Sequence, residues 1–218
     1  MTFTPLSPSR QSIDDEGMKP KSQRIALVVI DVQNTFDNHA YWGTRDNPSA
    51  EANIDLLVKH WTDIGQPIVM VTHTSSNPES SFYPEHQSAQ LKPFLRGVVS
   101  AVHITKTVNS AFLGTPDLAQ WLHMEEISEL VICGIQTNMC VETTTRMAGN
   151  LGFSTKVALD ACHTFDLLGP AGRRFSAEQL SAVTAANLYG GGFADIVQTQ
   201  ELLAAATEEN LGGLPSLR

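Results

Sequence analysis

Three residues with complementary chemistry lie at or just after apolar runs of the chain: Asp31, Lys106 and Cys140. An unperturbed cysteine thiol has a pKa of ~8.5 and is therefore mostly protonated at neutral pH. A carboxylate in contact can accept the thiol proton, and an ammonium in contact stabilises the thiolate that results. The carboxylic acid so formed can then protonate a leaving amine. If the fold brings these side chains together, they predict nucleophilic hydrolysis by Cys140.

Cys140 also has a favourable local position. It follows an apolar run that Gly134 interrupts and a polar turn, and it precedes a helix-compatible segment that reaches Gly152. The start of a helix offers unpaired backbone N–H groups and the positive end of the helix dipole, and both favour a thiolate. The sequence therefore predicts a nucleophile at the junction of turn and helix.

The elements that must position these groups alternate between strands and helices. Strands alternating with helices are typical of a parallel α/β sheet with helices on both faces, and ligands bind such sheets at the carboxyl ends of the strands. Taken singly, Asp31 is typical of a turn cap and Lys106 of a solvated surface lysine. The predicted strands are 24–31, 67–72, 101–105, 129–133, 154–159 and 194–197, and the predicted helices are 49–64, 116–126, the segment after Cys140, 177–188 and 201–209.

The bulk composition limits the classes of function. The chain has 218 residues, of which 42% are hydrophobic and 17% charged, and this balance indicates one globular domain with a sizeable core. The formal net charge of −9 argues against a nucleic-acid or anionic-membrane partner. No apolar run approaches the roughly 20 residues of a membrane span. Three cysteines, an odd number, do not form a disulfide framework, so a cytoplasmic location is predicted.

The chain divides into an N-terminal arm, residues 1–23, and one hydrolase domain, residues 24–218. The arm is polar, contains proline and serine, and lacks the apolar region of a signal peptide. Two interpretations of it stay open, a mobile arm or a segment that clasps a second copy in an oligomer. The long polar segment 73–93 is predicted to line a pocket.

Three motifs around the chemical residues resemble those of the isochorismatase-like cysteine hydrolases. The first runs from Val28 to Phe36 and contains Asp31. The second is Thr105–Lys106, followed by Ser110, Ala111 and Phe112. The third runs from Gly134 to Val141 and contains Cys140, and it continues through Thr143, Thr144, Ala148 and Gly152, with Asp160–Cys162 matching the following strand end. The resemblance covers about residues 24–205.

This resemblance implies a three-layer sandwich whose mainly parallel six-stranded sheet carries the catalytic triad Asp31, Lys106 and Cys140. It also implies a cis peptide bond between Ile135 and Gln136. With that bond, the backbone N–H groups of Gln136 and Cys140 would form an oxyanion hole for a tetrahedral intermediate. The implied reaction is attack by Cys140 on an amide-like carbonyl, followed by hydrolysis of the acyl-enzyme. The resemblance further implies a homo-oligomer, either a dimer or a tetramer.

Residues that adjoin the triad in sequence are candidates for contact with a small-molecule substrate. Phe36, Phe112 and Met139 are the predicted substrate-binding residues. Four aromatic residues on predicted loops, Tyr41, Trp42, Phe82 and Tyr83, are candidates for a lid. Cys162 and His163 are predicted to follow a strand end, near the pocket rim, with a packing role.

Cys140 selects among the branches that the resemblance allows. Isochorismatases proper cleave a vinyl ether and lack this cysteine, so Cys140 favours hydrolysis of a C–N bond in an amide, carbamoyl or ureido compound. Nicotinamidases carry an Asp-x-His metal motif after the second strand, where this chain reads His73-Thr-Ser-Ser. No bound metal and no cofactor are therefore predicted, and nicotinamide is not favoured. Two alternatives stay open: vinyl-ether hydrolysis with Asp31 as the acid, and a non-catalytic ligand-binding protein on the same fold.

Overall fold

The structure, a computed structural model, describes residues 24–204 and contains one six-stranded sheet in which every neighbouring pair of strands is parallel. The strand order is β3-β2-β1-β4-β5-β8, and a separate antiparallel hairpin pairs β6 with β7. The strands are β1 (Ile25–Ile30), β2 (Ile68–His73), β3 (Val102–Lys106), β4 (Glu129–Ile135), β5 (Ser154–His163), β6 (Leu167–Leu168), β7 (Arg174–Phe175) and β8 (Asp195–Val197). The α-helices are α1 (His39–Trp42), α2 (Ala50–Asp63), α3 (Leu118–Met124), α4 (Glu142–Asn150) and α5 (Ala177–Gly190).

The predicted three-layer α/β fold is confirmed. β1 is an unbroken apolar run that is buried from its second residue onward, as expected for a central parallel strand covered on both faces. α2 buries one apolar stripe that contains Ile54, Leu57 and Trp61. Each of the six strands predicted from the sequence is present within a few residues of its predicted bounds.

One predicted strand end was wrong, because β5 continues past Leu159 as far as His163. The pairing of β4 with β5 shifts register between Ile132 and Gly134, and β5 then pairs again through Cys162 and His163. Both residues are therefore buried inside the sheet and do not follow its end. The predicted arm 1–23 lies outside the described residues, as does the end of the predicted helix 201–209. The structure describes a helical segment at 199–204, which overlaps the predicted helix at 201–204.

Gly134 lies where the backbone of β4 runs closely against that of β1. Its φ of +129° lies in a region that favours glycine, and a Cβ built there would stand 2.1 Å from the carbonyl oxygen of Ile30. Because that oxygen belongs to the backbone of a central strand, it cannot move aside. Gly134 thus allows the strand that precedes Cys140 to pack against the strand that precedes Asp31.

We expect Gly134→Ala to lower the free energy of unfolding by about 2–4 kcal/mol, since it adds a backbone collision to a strained φ. Gly152→Ala is the matched control: its φ is also positive, at +89°, but no atom lies within 4 Å of the added Cβ. We expect that control to cost about 1 kcal/mol. Urea unfolding of both variants measures the difference, and equal losses would contradict a collision at Gly134.

Within residues 24–204, no helix is both long enough and apolar enough to cross a membrane.

Candidate active site

The three residues singled out by their chemistry meet at the carboxyl edge of the sheet. Asp31 directly follows β1, Lys106 ends β3, and Cys140 lies in the turn between β4 and α4. The Lys106 Nζ atom lies 2.5 Å from Asp31 Oδ2 and 3.4 Å from Cys140 Sγ. The fold therefore brings Lys106 into contact with Asp31, which is 75 residues away in the sequence, and with Cys140, which is 34 residues away.

Asp31 is held in an unusual backbone conformation. Its φ is +53°, a left-handed value that is uncommon outside glycine, and its N–H donates to the Val71 carbonyl across the sheet at 2.9 Å. The side chain is 1% exposed, and its Oδ1 atom has no hydrogen-bond partner within the described part of the chain. One carboxylate oxygen is thus committed to Lys106 while the other is left open.

Lys106 directs its ammonium at three acceptors. Besides Asp31 and Cys140, its Nζ atom lies 3.3 Å from His73 Nδ1, at the end of β2. The Lys106 side chain is completely buried. An ammonium has three N–H donors, and these three neighbours provide one acceptor for each.

The pKa values of these groups describe a resting site with a protonated thiol. Burial raises the pKa of Asp31 above its ordinary 3.8, although the charge of Lys106 opposes the shift. Burial, together with the negative charge of Asp31, raises the pKa of Cys140 to about 12. The sequence predicted a thiolate because Cys140 lies at the start of a helix, which favours the ionised form. The loss of solvation on burial has the larger effect on the pKa of Cys140. Burial and the charge of Lys106 lower the pKa of His73 to about 4, so its imidazole is neutral at neutral pH.

The turn that carries Cys140 begins with a cis peptide bond between Ile135 and Gln136. A single π-type turn, Thr137–Val141, follows, in which the Val141 N–H donates to the Gln136 carbonyl at 3.2 Å. The Thr164 hydroxyl lies near the same turn, 2.5 Å from Asn138 Oδ1, to which it donates, and 3.3 Å from Gln136 Oε1. Such π turns are rare and occur frequently at functional sites.

A small cavity of about 210 Å³ opens directly onto Asp31 and Cys140. Two of the predicted substrate-binding residues, Phe36 and Met139, line it. The third, Phe112, does not: it is buried and stacks on Phe153, with ring centroids 5.7 Å apart. The remaining lining residues are Trp42, His73, Phe82, Asn109 and Gln136.

Two lid candidates, Trp42 and Phe82, form the aromatic wall of this cavity together with Phe36. The ring centroid of Phe36 lies 4.9 Å from that of Trp42 and 5.7 Å from that of Phe82. The Trp42 Nε1–H donates to the Thr35 carbonyl at 2.9 Å, which fixes the indole. Segment 73–93 therefore lines the pocket through Phe82, as predicted.

Sequence reasoning missed His73 and Asn109 as pocket residues. His73 was not singled out: it was named as the place where a metal motif is missing and was otherwise only the first residue of the predicted pocket-lining segment 73–93. Its place at the end of a parallel strand was itself a usable signal. The buried side chain of Gln33 fixes this histidine, since it accepts from the His73 N–H at 2.9 Å and donates to the His73 carbonyl at 3.0 Å. Asn109 lies within the second motif, where only its neighbours were assigned.

A metal ion would find three potential ligands here, one atom each from Asp31, His73 and Cys140, all within 4.8 Å of one another. The Lys106 ammonium already contacts all three residues, so a metal ion would have to compete with it for the same place. Asp37, which begins the sequence Asp37-Asn38-His39 in the loop after Asp31, pairs with Lys92.

A second charged cluster lies behind the aromatic wall. Arg45 donates to both oxygens of Glu51, at 2.6 and 2.7 Å, and Lys92 donates to Glu51 at 3.1 Å. His163 Nε2 lies 3.5 Å from the same carboxylate. Burial works against ionisation of Glu51, but these partners hold its pKa well below the ordinary range. Arg45 and Lys92 are therefore both held in ion pairs within this cluster, and neither lines the cavity.

The fold and the site together define a three-layer α/β protein with a cysteine, an acid and a lysine in contact at one sheet edge. The Isochorismatase domain family model matches residues 25–188, so the chain belongs to the isochorismatase family of hydrolases.

Similar proteins agree with this assignment. The isochorismatase family protein YrdC of Bacillus subtilis is 38% identical over 181 residues, which cover 83% of this chain and 95% of YrdC. The nicotinamidase of Escherichia coli K12 is 31% identical over 177 residues, covering 63% of this chain and 82% of that protein. A crystal structure of an isochorismatase-family protein from Chromobacterium violaceum superposes with a TM-score of 0.80 at 34% identity, covering 93% of this chain and 99% of that one.

Proposed function

We propose that this protein hydrolyses a C–N bond of a small amide, carbamoyl or ureido compound through a thioester on Cys140. The observation that carries this proposal is the contact of one buried ammonium, that of Lys106, with both Asp31 and Cys140 beside a cavity. This constellation supplies a nucleophile, a proton acceptor and a fixed positive charge.

In the first half of the reaction, Cys140 Sγ forms a bond to the substrate carbonyl carbon while its proton moves to Asp31. The carbonyl oxygen becomes an oxyanion, which the backbone N–H groups of Gln136 and Cys140 stabilise. The C–N bond then breaks, and Asp31 returns the proton to the departing nitrogen. Ammonia or an amine leaves, and the acyl group stays on sulfur.

Water completes the cycle. Asp31 accepts a proton from the attacking water, the C–S bond breaks, and the proton returns to the Cys140 sulfur as the acid product departs. The open Oδ1 atom of Asp31 suits this shuttling, because it has no competing hydrogen-bond partner within the described chain. Since the pKa of the resting thiol is raised to about 12, its attack must be coupled to proton transfer.

Release of ammonia from a panel of small amides and ureido compounds tests the proposal. Nicotinamide belongs in the panel because one similar protein, from Escherichia coli, is a nicotinamidase. Mass spectrometry of the quenched reaction should find the acyl group on Cys140. Turnover without any such adduct in a rapid-quench series would contradict the thioester, and isochorismate hydrolysis by Cys140→Ala would favour the vinyl-ether alternative.

We expect Asp31→Asn to lose hydrolysis, by at least about 10³-fold, and yet to carry a more reactive cysteine. The carboxylate is the proton acceptor, so turnover fails without it. The charge of Asp31 also contributes to the raised pKa of Cys140, so its removal should lower that pKa. The rate of iodoacetamide alkylation at Cys140, followed from pH 7 to 10, measures this change in the pKa. A rate in Asp31→Asn that is below the wild-type rate at every pH would contradict the prediction.

The homo-oligomer and the cytoplasmic location stay predictions of the sequence.

A further inference from the structure

Within residues 24–204, the cavity beside Cys140 offers no free positive charge. None of its lining residues within 24–204 is a lysine or an arginine. The nearest cation, Lys106, is completely buried and directs its ammonium at Asp31, His73 and Cys140. His73 is neutral above pH values near 4. A carboxylate bound here would therefore have no cationic partner and would lie close to the carboxylate of Asp31.

Two cations farther from the cavity are also committed. Arg45 and Lys92, behind the aromatic wall, both bind Glu51. Moving either of them toward the cavity would break one of the ion pairs that hold the half-buried Glu51, and breaking such a pair is unfavourable. The charge deficit of the cavity is therefore a property of the fold and is not the result of one side-chain orientation.

The rest of the lining suits a flat, uncharged group. Phe36, Trp42 and Phe82 provide apolar faces, while the side-chain amides of Asn109 and Gln136 can pair with an amide or ureido group. The volume of about 210 Å³ equals about seven water molecules in the liquid, so the occupant is small.

We propose that this site takes neutral, planar amides or ureido compounds and rejects isosteric substrates that carry a carboxylate. This inference rests on the proposed function, because it defines the substrate class of the same site. It excludes N-carbamoyl amino acids and isochorismate, all of which are anions at neutral pH.

Two thiol reagents of nearly equal size, neutral iodoacetamide and anionic iodoacetate, test the inference without any knowledge of the substrate. We expect Cys140 of the full chain to prefer iodoacetamide by at least about tenfold beyond the ratio measured with 2-mercaptoethanol. Peptide mapping assigns the label, since Cys133 and Cys162 are buried. Faster labelling of Cys140 by iodoacetate would overturn the inference.

A matched pair of arginine substitutions separates local charge from net charge. Asn109 is exposed at the cavity. In Asn109→Arg, the ratio of the iodoacetamide rate to the iodoacetate rate at Cys140 should therefore come close to the ratio measured with 2-mercaptoethanol. Met124 is 68% exposed and ends α3 just before β4 begins, at the opposite edge of the sheet. Met124→Arg should leave the ratio unchanged, and equal effects of the two substitutions would show that the cavity has no special role.

Binding to the Cys140→Ser variant distinguishes failure of this inference from failure of the proposed function. Calorimetry should show 3-nitrobenzamide binding at least about tenfold more tightly than its carboxylate isostere 3-carbamoylbenzoate. If the Cys140→Ser variant binds 3-nitrobenzamide more tightly but the wild type hydrolyses no compound of the panel, the charge selectivity is supported and the proposed hydrolysis is contradicted. Tighter binding of the carboxylate, or no binding of either compound at millimolar concentration, would overturn the selectivity.

Discussion

Replacement of Cys140 by serine is expected to lower kcat/KM for hydrolysis by at least about 10³-fold while the fold persists. A hydroxyl is far less acidic than a thiol, and the carboxylate of Asp31 is too weak a base to activate it. The side chain of Cys140 is only partly buried, and a serine hydroxyl can take the place of the thiol beside Asp31 and Lys106, so little stability should be lost. Ammonia release and urea unfolding, measured together, separate the two effects.

Cys162→Ser is the matched control, because it makes the same chemical change at a cysteine outside the cavity. The Cys162 thiol donates to the Ala158 carbonyl at 3.3 Å, a bond that a hydroxyl can also make. This control should retain activity within a few-fold. Full activity of the Cys140→Ser protein would remove Cys140 from the reaction and leave Asp31-driven chemistry as the explanation.

Replacement of Lys106 by methionine is expected to abolish hydrolysis and to lower the free energy of unfolding at pH 7 by about 3–5 kcal/mol. Methionine fills a similar volume but leaves Asp31, which is 1% exposed, without its counter-ion. The pKa of Asp31 is already above its ordinary 3.8 and should rise further. Because the folded variant then holds the proton more tightly than the unfolded chain, its stability should be greatest below about pH 4.

As the pH rises through the folded-state pKa of Asp31, the stability of Lys106→Met should fall. The double variant Asp31→Asn/Lys106→Met removes the unpaired charge and should recover most of the lost stability without recovering activity. Urea unfolding of the single and double variants from pH 4 to 8 measures this coupling. A loss of stability in Lys106→Met that does not depend on pH, or a double variant that recovers no stability, would show that the loss comes from packing. The charge pair would then not be its cause.

The sequence was sufficient for the architecture and for the three central residues, because both depend on strong local signals. Continuous apolar runs such as the one before Asp31 indicate buried parallel strands, and the carboxyl ends of parallel strands share one edge. That Asp31, Lys106 and Cys140 meet at this edge therefore follows once the strands are known. Their catalytic roles stay predictions.

Other features depended on tertiary contacts that no local pattern encodes. Phe112 adjoins the second motif in sequence, yet it turns away from the cavity and stacks on Phe153. The extension of β5 to His163 follows a register shift against β4, which only the paired strands reveal. The protonated state of Cys140 likewise results from burial, whereas the sequence indicated only the neighbouring helix.

The strand order has a consequence for how this protein is made. Asp31, Lys106 and Cys140 stand at the carboxyl ends of β1, β3 and β4, and they are separated in sequence by 75 and 34 residues. In the sheet, β2 lies between β3 and β1. During synthesis the acid emerges from the ribosome first and the cysteine last, and long-range parallel pairing of this kind forms slowly. A nascent chain that lacks any of these strands therefore cannot bring the three side chains together, and its cysteine has no proton acceptor beside it. The proposed hydrolysis therefore requires the complete sheet, because only the complete sheet brings the three side chains together.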